Sequence, residues 1–162
     1  MKKVIIFLFL FIFCFGVCLA EQVPFGDRGV ADIPDGFKLF PYNNKKEDGI
    51  WMVAYNDISG DMILLTVLSL NYNIDLDSQK MQDFFRNDSE LRDVRSFMYA
   101  GKKTITAVKT GGNGESYITF FARGSNLYSV SFIQKNSVTG KYVITPFGRN
   151  LVFSIVNSFQ ER

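Results

Sequence analysis

The chain has no histidine, and its only two cysteines, Cys14 and Cys18, lie in its first twenty residues. Without histidine there is no imidazole base, no zinc site built on His or Cys in the remainder, and no haem held by a His ligand. Charge of one sign is also missing. The 18 Lys and Arg stand against 16 Asp and Glu, but Lys2 and Lys3 belong to the leading segment, which has no acid. The rest of the chain is electrically balanced, which gives no sign of a nucleic acid or an anionic membrane as partner. Proline is scarce, with four in all. Removing residues 1–20 leaves 142, enough for one domain with one core.

What is present begins with that leader. Met1-Lys2-Lys3 is a positive start, Val4 to Phe15 is an unbroken apolar run, and Cys18 and Ala20 are small residues at the −3 and −1 positions of a signal-peptidase site. The expectation is a signal peptide over 1–20, cleaved after Ala20, and an exported product, periplasmic or extracellular. Two alternatives use the same residues. The run from Val4 to Leu19 is slightly short for an uncleaved membrane anchor. Cys18 could be acylated as in a lipoprotein, although Val17 is not the small residue that such processing wants before the cysteine. A mature chain without cysteine has no disulfide and holds together by packing. Its twelve Phe, seven Tyr and Trp51 supply more than enough aromatic surface for that.

Residues 21–36 read as an N-terminal loop segment, punctuated by Pro24, Gly26, Gly29, Pro34 and Gly36. Residues 37–162 read as one α+β domain. Phe37 to Phe40 is a short edge strand and Tyr42 to Gly49 a charged loop. Ile50 to Asn56 is a strand, and Met62 to Tyr72 is apolar enough for a sheet centre covered on both faces. Between Asp75 and Asn87 the period changes. Met81, Phe84 and Phe85 fall at helical spacing behind Asp77 or Ser78 as cap. A four-strand antiparallel meander follows over Val94–Ala100, Lys103–Thr110, Glu115–Arg123 and Leu127–Gln134. Thr145 then caps a closing helix with Pro146 in its first turn and Phe147, Leu151, Ile155 and Phe159 repeating every four residues. The expected architecture is an antiparallel sheet of about six to seven strands with one helix packed on each face, an α/β/α sandwich.

Ile33-Pro34-Asp35-Gly36-Phe37 and the closing Ile155-Val156-Asn157-Ser158-Phe159 resemble the opening strand and terminal helix of PsbP/DcrB-type proteins. The resemblance covers about residues 30–160 and departs from that type at Tyr42–Gly49. It implies a central antiparallel sheet with helices on its two faces. It also implies a non-catalytic protein that binds partners as an adaptor, chaperone or accessory, and it supplies no catalytic residues.

The residues themselves offer little chemistry. Gly111-Gly112-Asn113-Gly114 lacks the following helix and Lys or Ser/Thr of a phosphate cradle, so a hairpin loop explains it better. Asp75, Asp77, Asp88, Glu90 and Asp93 lack the grammar of a calcium loop and read as a cap and a solvated turn. A carboxylate-dependent hydrolase would have to draw on Glu21, Glu47, Glu90, Glu115 and Glu161, none paired by spacing. No metal or other cofactor is expected.

The aromatic surplus is the better clue. Tyr117, Phe121, Tyr128 and Phe132 can build one sheet face. Phe153, off the apolar stripe of the last helix, would join Trp51, Tyr55 and Tyr99 in an exposed interaction surface. The leading expectation is an exported, soluble, non-catalytic protein that binds another protein. The alternatives are a carrier of a small apolar ligand held between the sheet and the C-terminal helix, and the hydrolase.

Overall fold

The computed structural model describes residues 20–47 and 49–162. The leader, with both cysteines, therefore lies outside the described residues. The rest is mostly β: eleven strands in two sheets and two short helices. This corrects the expected sandwich of one six- to seven-stranded sheet between single helices.

The large sheet has eight strands. β3 (Lys38–Glu47), β4 (Ile50–Asn56) and β5 (Met62–Ser69) run antiparallel from one edge. β6 (Leu91–Tyr99), β7 (Lys102–Gly111), β8 (Gly114–Arg123) and β9 (Asn126–Lys135) form the meander from the other, and β5 pairs with β9 at the join. Where β8 and β9 part, the two-residue β10 (Tyr142–Val143) wedges between them. Tyr142 lies against Gly114, whose φ is +127°, and a side chain at Gly114 would run into the Tyr142 backbone.

The segment expected to be a loop is a hairpin. β1 (Ala20–Pro24) and β2 (Gly29–Pro34) pair in register, and β11 (Gln160–Glu161) joins the other edge of β2 to make a three-stranded sheet. The glycines and prolines that suggested a loop flank or end the strands. Val23, Phe25, Val30, Ala31 and Ile33 are all buried. Gly29 is needed where it stands, because a side chain there would strike the Phe159 ring. The charged stretch after Phe40 is likewise strand rather than loop, since β3 continues to Glu47 after a register shift between Phe40 and Lys45.

Helix α1 (Gln79–Asn87) starts at Ser78, whose Oγ accepts from the Met81 amide. Helix α2 (Pro146–Ser158) starts at Thr145, whose Oγ1 accepts from the Gly148 amide at 3.1 Å. Caps of this kind are worth about 1 kcal/mol each. The Thr145 hydroxyl also donates to Gln134 Oε1 at 2.6 Å. Gln134 Nε2 in turn donates to the buried carboxylate of Asp61. That chain ties the start of α2 to the ends of β5 and β9 and so sets where the helix crosses the sheet.

Candidate functional site

Strand alternation divides the large sheet into two unlike faces. The first carries Ile63, Leu65 and Val67 of β5, Tyr128, Val130 and Phe132 of β9, and Phe121 of β8, all buried. Over it lie α2, through Leu151, Val152, Ile155 and Val156, and the small sheet. Phe25, fully buried, sits among rings: 5.2 Å from Tyr128, 5.8 Å from Phe159, 6.1 Å from Phe121 and 6.1 Å from Trp51. This face is closed by packed aromatics.

All four residues expected to form an exposed surface point into that closed side. Tyr55 is 7% exposed. Burial, with Glu21 of β1 close by, pushes its phenol up to about 12. Trp51 is half-buried against Phe25. Tyr99 and Phe153 lean on each other at 4.7 Å, and Phe153 also meets Phe97 at 5.9 Å and Tyr117 at 6.0 Å. The structure thus joins Tyr99 to Phe153 in a side cluster and puts Trp51 and Tyr55 into the main core. Phe153 is off the main stripe of α2 because it serves this second contact. Burial also raises the phenol of Tyr128.

The opposite face is half open. Its rows run straight across the sheet: Met52, Thr66, Ser129 and Phe120 in one, Ala54, Leu64, Ser131 and Ile118 in the next. At one end α1 covers it, with Met81 and Phe85 buried against Ile105 and Leu127, and Phe85 4.8 Å from Phe120. Nine residues of helix cannot reach across an eight-stranded sheet. Beyond α1 the face opens into a groove of about 570 Å³. Its floor is shallow-walled along β9 because Ser129 and Ser131 are small. Leu64, Leu68, Ile118 and Ile133 are apolar flanks, and Phe84 and Tyr142 stand at its margins. Phe84, placed by helical spacing on the apolar side of α1, is 54% exposed and faces this groove. The sequence-based carrier reading placed a ligand between the sheet and the C-terminal helix. That space is filled with rings, and the groove lies on the other face, against α1.

The polar candidates are dispersed. Gly111 pairs with Gly114, so Gly112-Asn113 is a two-residue hairpin turn. Asp75 and Asp88 each cap a local turn, Asp77 pairs with Lys103 at 2.7 Å, and Glu90 pairs with Lys109 at 3.2 Å. Glu115 is held by Arg92, and Glu21 and Glu161 are exposed. Among the described residues no group of three or more acids or thiols is placed to hold a metal ion. Nor is any described helix long and apolar enough to cross a membrane. Among the described residues, one buried hydroxyl, Thr119 Oγ1 on the closed face, has no hydrogen-bond partner.

No protein-family model matches the chain, and no curated protein does. Among solved structures, it is similar to a crystal structure from Bacteroides thetaiotaomicron VPI-5482, with a TM-score of 0.51 at 11% identity. The likeness covers 83% of this chain, which spans 45% of the length of that one. It is a likeness of fold.

Proposed function

We propose that this is an exported, non-catalytic binding protein that holds an apolar molecule in the groove beside α1. One observation carries the reading: a groove of about 570 Å³ with apolar walls on the half-open face of the large sheet. Ligand sites commonly run from about 300 to 1,000 Å³ and combine apolar walls with a few polar groups. The leader supports export, and the lack of histidine and of paired carboxylates supports binding rather than catalysis.

A second reading is that a partner protein inserts an apolar side chain or segment at the same place. The exposed Ile50 and Phe84 favour it, as does the resemblance of Ile33–Phe37 and Ile155–Phe159 to PsbP/DcrB-type proteins. Native mass spectrometry of the protein recovered from the cells that make it separates the two. A bound mass of a few hundred daltons supports the ligand reading. A stoichiometric protein companion supports the partner reading. Recovery of bare protein that also takes up no neutral apolar dye would overturn the ligand reading.

A further inference from the structure

We infer that the molecule taken by the groove is uncharged and carries hydrogen-bonding groups along one edge. The inference rests on the ligand reading above and deepens it. Three hydroxyls lie in the groove floor: Thr66 on β5, Ser129 directly opposite on β9, and Ser131 two residues further along β9. Thr66 and Ser129 are half-buried and Ser131 is buried. Residues opposite one another in an antiparallel pair stand about 5 Å apart. Alternate residues along a strand stand about 7 Å apart. The three hydroxyls therefore form a short polar lane with those spacings, between apolar flanks. A plain hydrocarbon laid there would strip them of water and return nothing, which is unfavourable. A molecule with hydroxyl or carbonyl groups at similar spacing replaces that water.

Charge at the rim disfavours a fatty carboxylate. The ionisable residues lining the groove are Asp88, Glu115 and Lys109. Lys109 is already paired with Glu90, and the nearby Arg92 with Glu115. An anionic head would meet more acid than base and no unengaged cation among these groups. A neutral molecule incurs no such penalty.

The test uses the full protein, Nile red as a neutral reporter, and two competitors with the same tail: monolaurin, whose head is uncharged and hydroxylated, and laurate, whose head is anionic. Monolaurin is expected to displace the dye at least tenfold more effectively than laurate. The double variant Ser129→Ala/Ser131→Ala keeps the shape of the floor. It is expected to lose at least fivefold in monolaurin affinity, with an unchanged thermal midpoint. Filling the lane with Ser131→Leu is expected to abolish binding of both monolaurin and Nile red. Equal competition by laurate, or full monolaurin affinity in the double variant, overturns the inference while leaving the groove a ligand site. Failure of the unaltered protein to bind Nile red at all overturns the reading on which it rests.

Discussion

Leu64 and Leu65 are neighbours on β5, identical in chemistry, and they live in different surroundings. Leu65 is fully buried under α2 and the small sheet, whereas Leu64 is half-buried in the groove wall. The two faces of the large sheet differ in the same way wherever α1 does not reach. One is covered jointly by a thirteen-residue helix and a three-stranded sheet, the other by a nine-residue helix over one end. Both faces carry apolar residues, although Thr66, Ser129 and Ser131 interrupt them on the open side. The difference is one of how much chain is available to lie on each, and what the cover leaves over is the groove.

If the closed face is the stability core and the open face is a binding surface, substitutions should separate them. The largest effect is expected at Phe25→Ala, which empties the centre of the ring cluster and should cost about 3–5 kcal/mol. A shift of less than 1 kcal/mol in urea unfolding would mean that the N-terminal hairpin is not part of the core. Next comes the neighbouring pair. Leu65→Ala should cost about 2–5 kcal/mol, while Leu64→Ala should cost about 1 kcal/mol or less and weaken dye binding instead. Equal losses for the two would erase the distinction between the faces.

A third effect depends on pH. Tyr55 has its phenol raised to about 12 against an ordinary value near 10, so the folded state favours the neutral form. The stability linked to that preference is fully present below about pH 10 and is lost as pH rises from about 10 to about 12, by roughly 2–3 kcal/mol. Tyr55→Phe should flatten that alkaline limb in urea midpoints measured across the range. An unchanged limb would place the loss elsewhere, Tyr128 being the other buried phenol raised in this way. The smallest effect should be a gain. Thr119→Val replaces a buried, unpartnered hydroxyl by a methyl group and is expected to be neutral or to stabilise by about 1 kcal/mol in thermal unfolding.

Individual elements were legible residue by residue, but the two-sheet architecture was not. The meander strands, the Thr145 cap and the last helix follow from local chemistry that the structure retains, and of the two cap candidates Asp77 and Ser78 it selects Ser78. The N-terminal hairpin was not, because Val23 to Ile33 alternates only briefly between glycines and prolines, and its pairing with residues 160–161 is a long-range matter. The four aromatics expected at the surface were misplaced for a related reason. Composition shows an aromatic surplus but not its cover: Phe25 lies against Trp51, Tyr55 is buried in the core, and Tyr99 and Phe153 cover each other. The groove could not be seen in advance, although one signal was available. Ser129 and Ser131 alternate with Tyr128, Val130 and Phe132, and such a stretch of small side chains on one face of a central strand marks a place where the surface is hollow.

The threading of β2 between β1 and β11 has a kinetic side. The Asp32 amide donates to the Ser158 hydroxyl 126 residues away, Gln160 pairs with Val30, and Phe159 closes on Phe25. The core therefore cannot be completed until Phe159 and Gln160 have reached β2 and Phe25. Contacts of such long sequence separation slow folding, because most of the chain's freedom must be surrendered before they form. The ring cluster around Phe25 is complete only once residues 158–161 have docked beside β2.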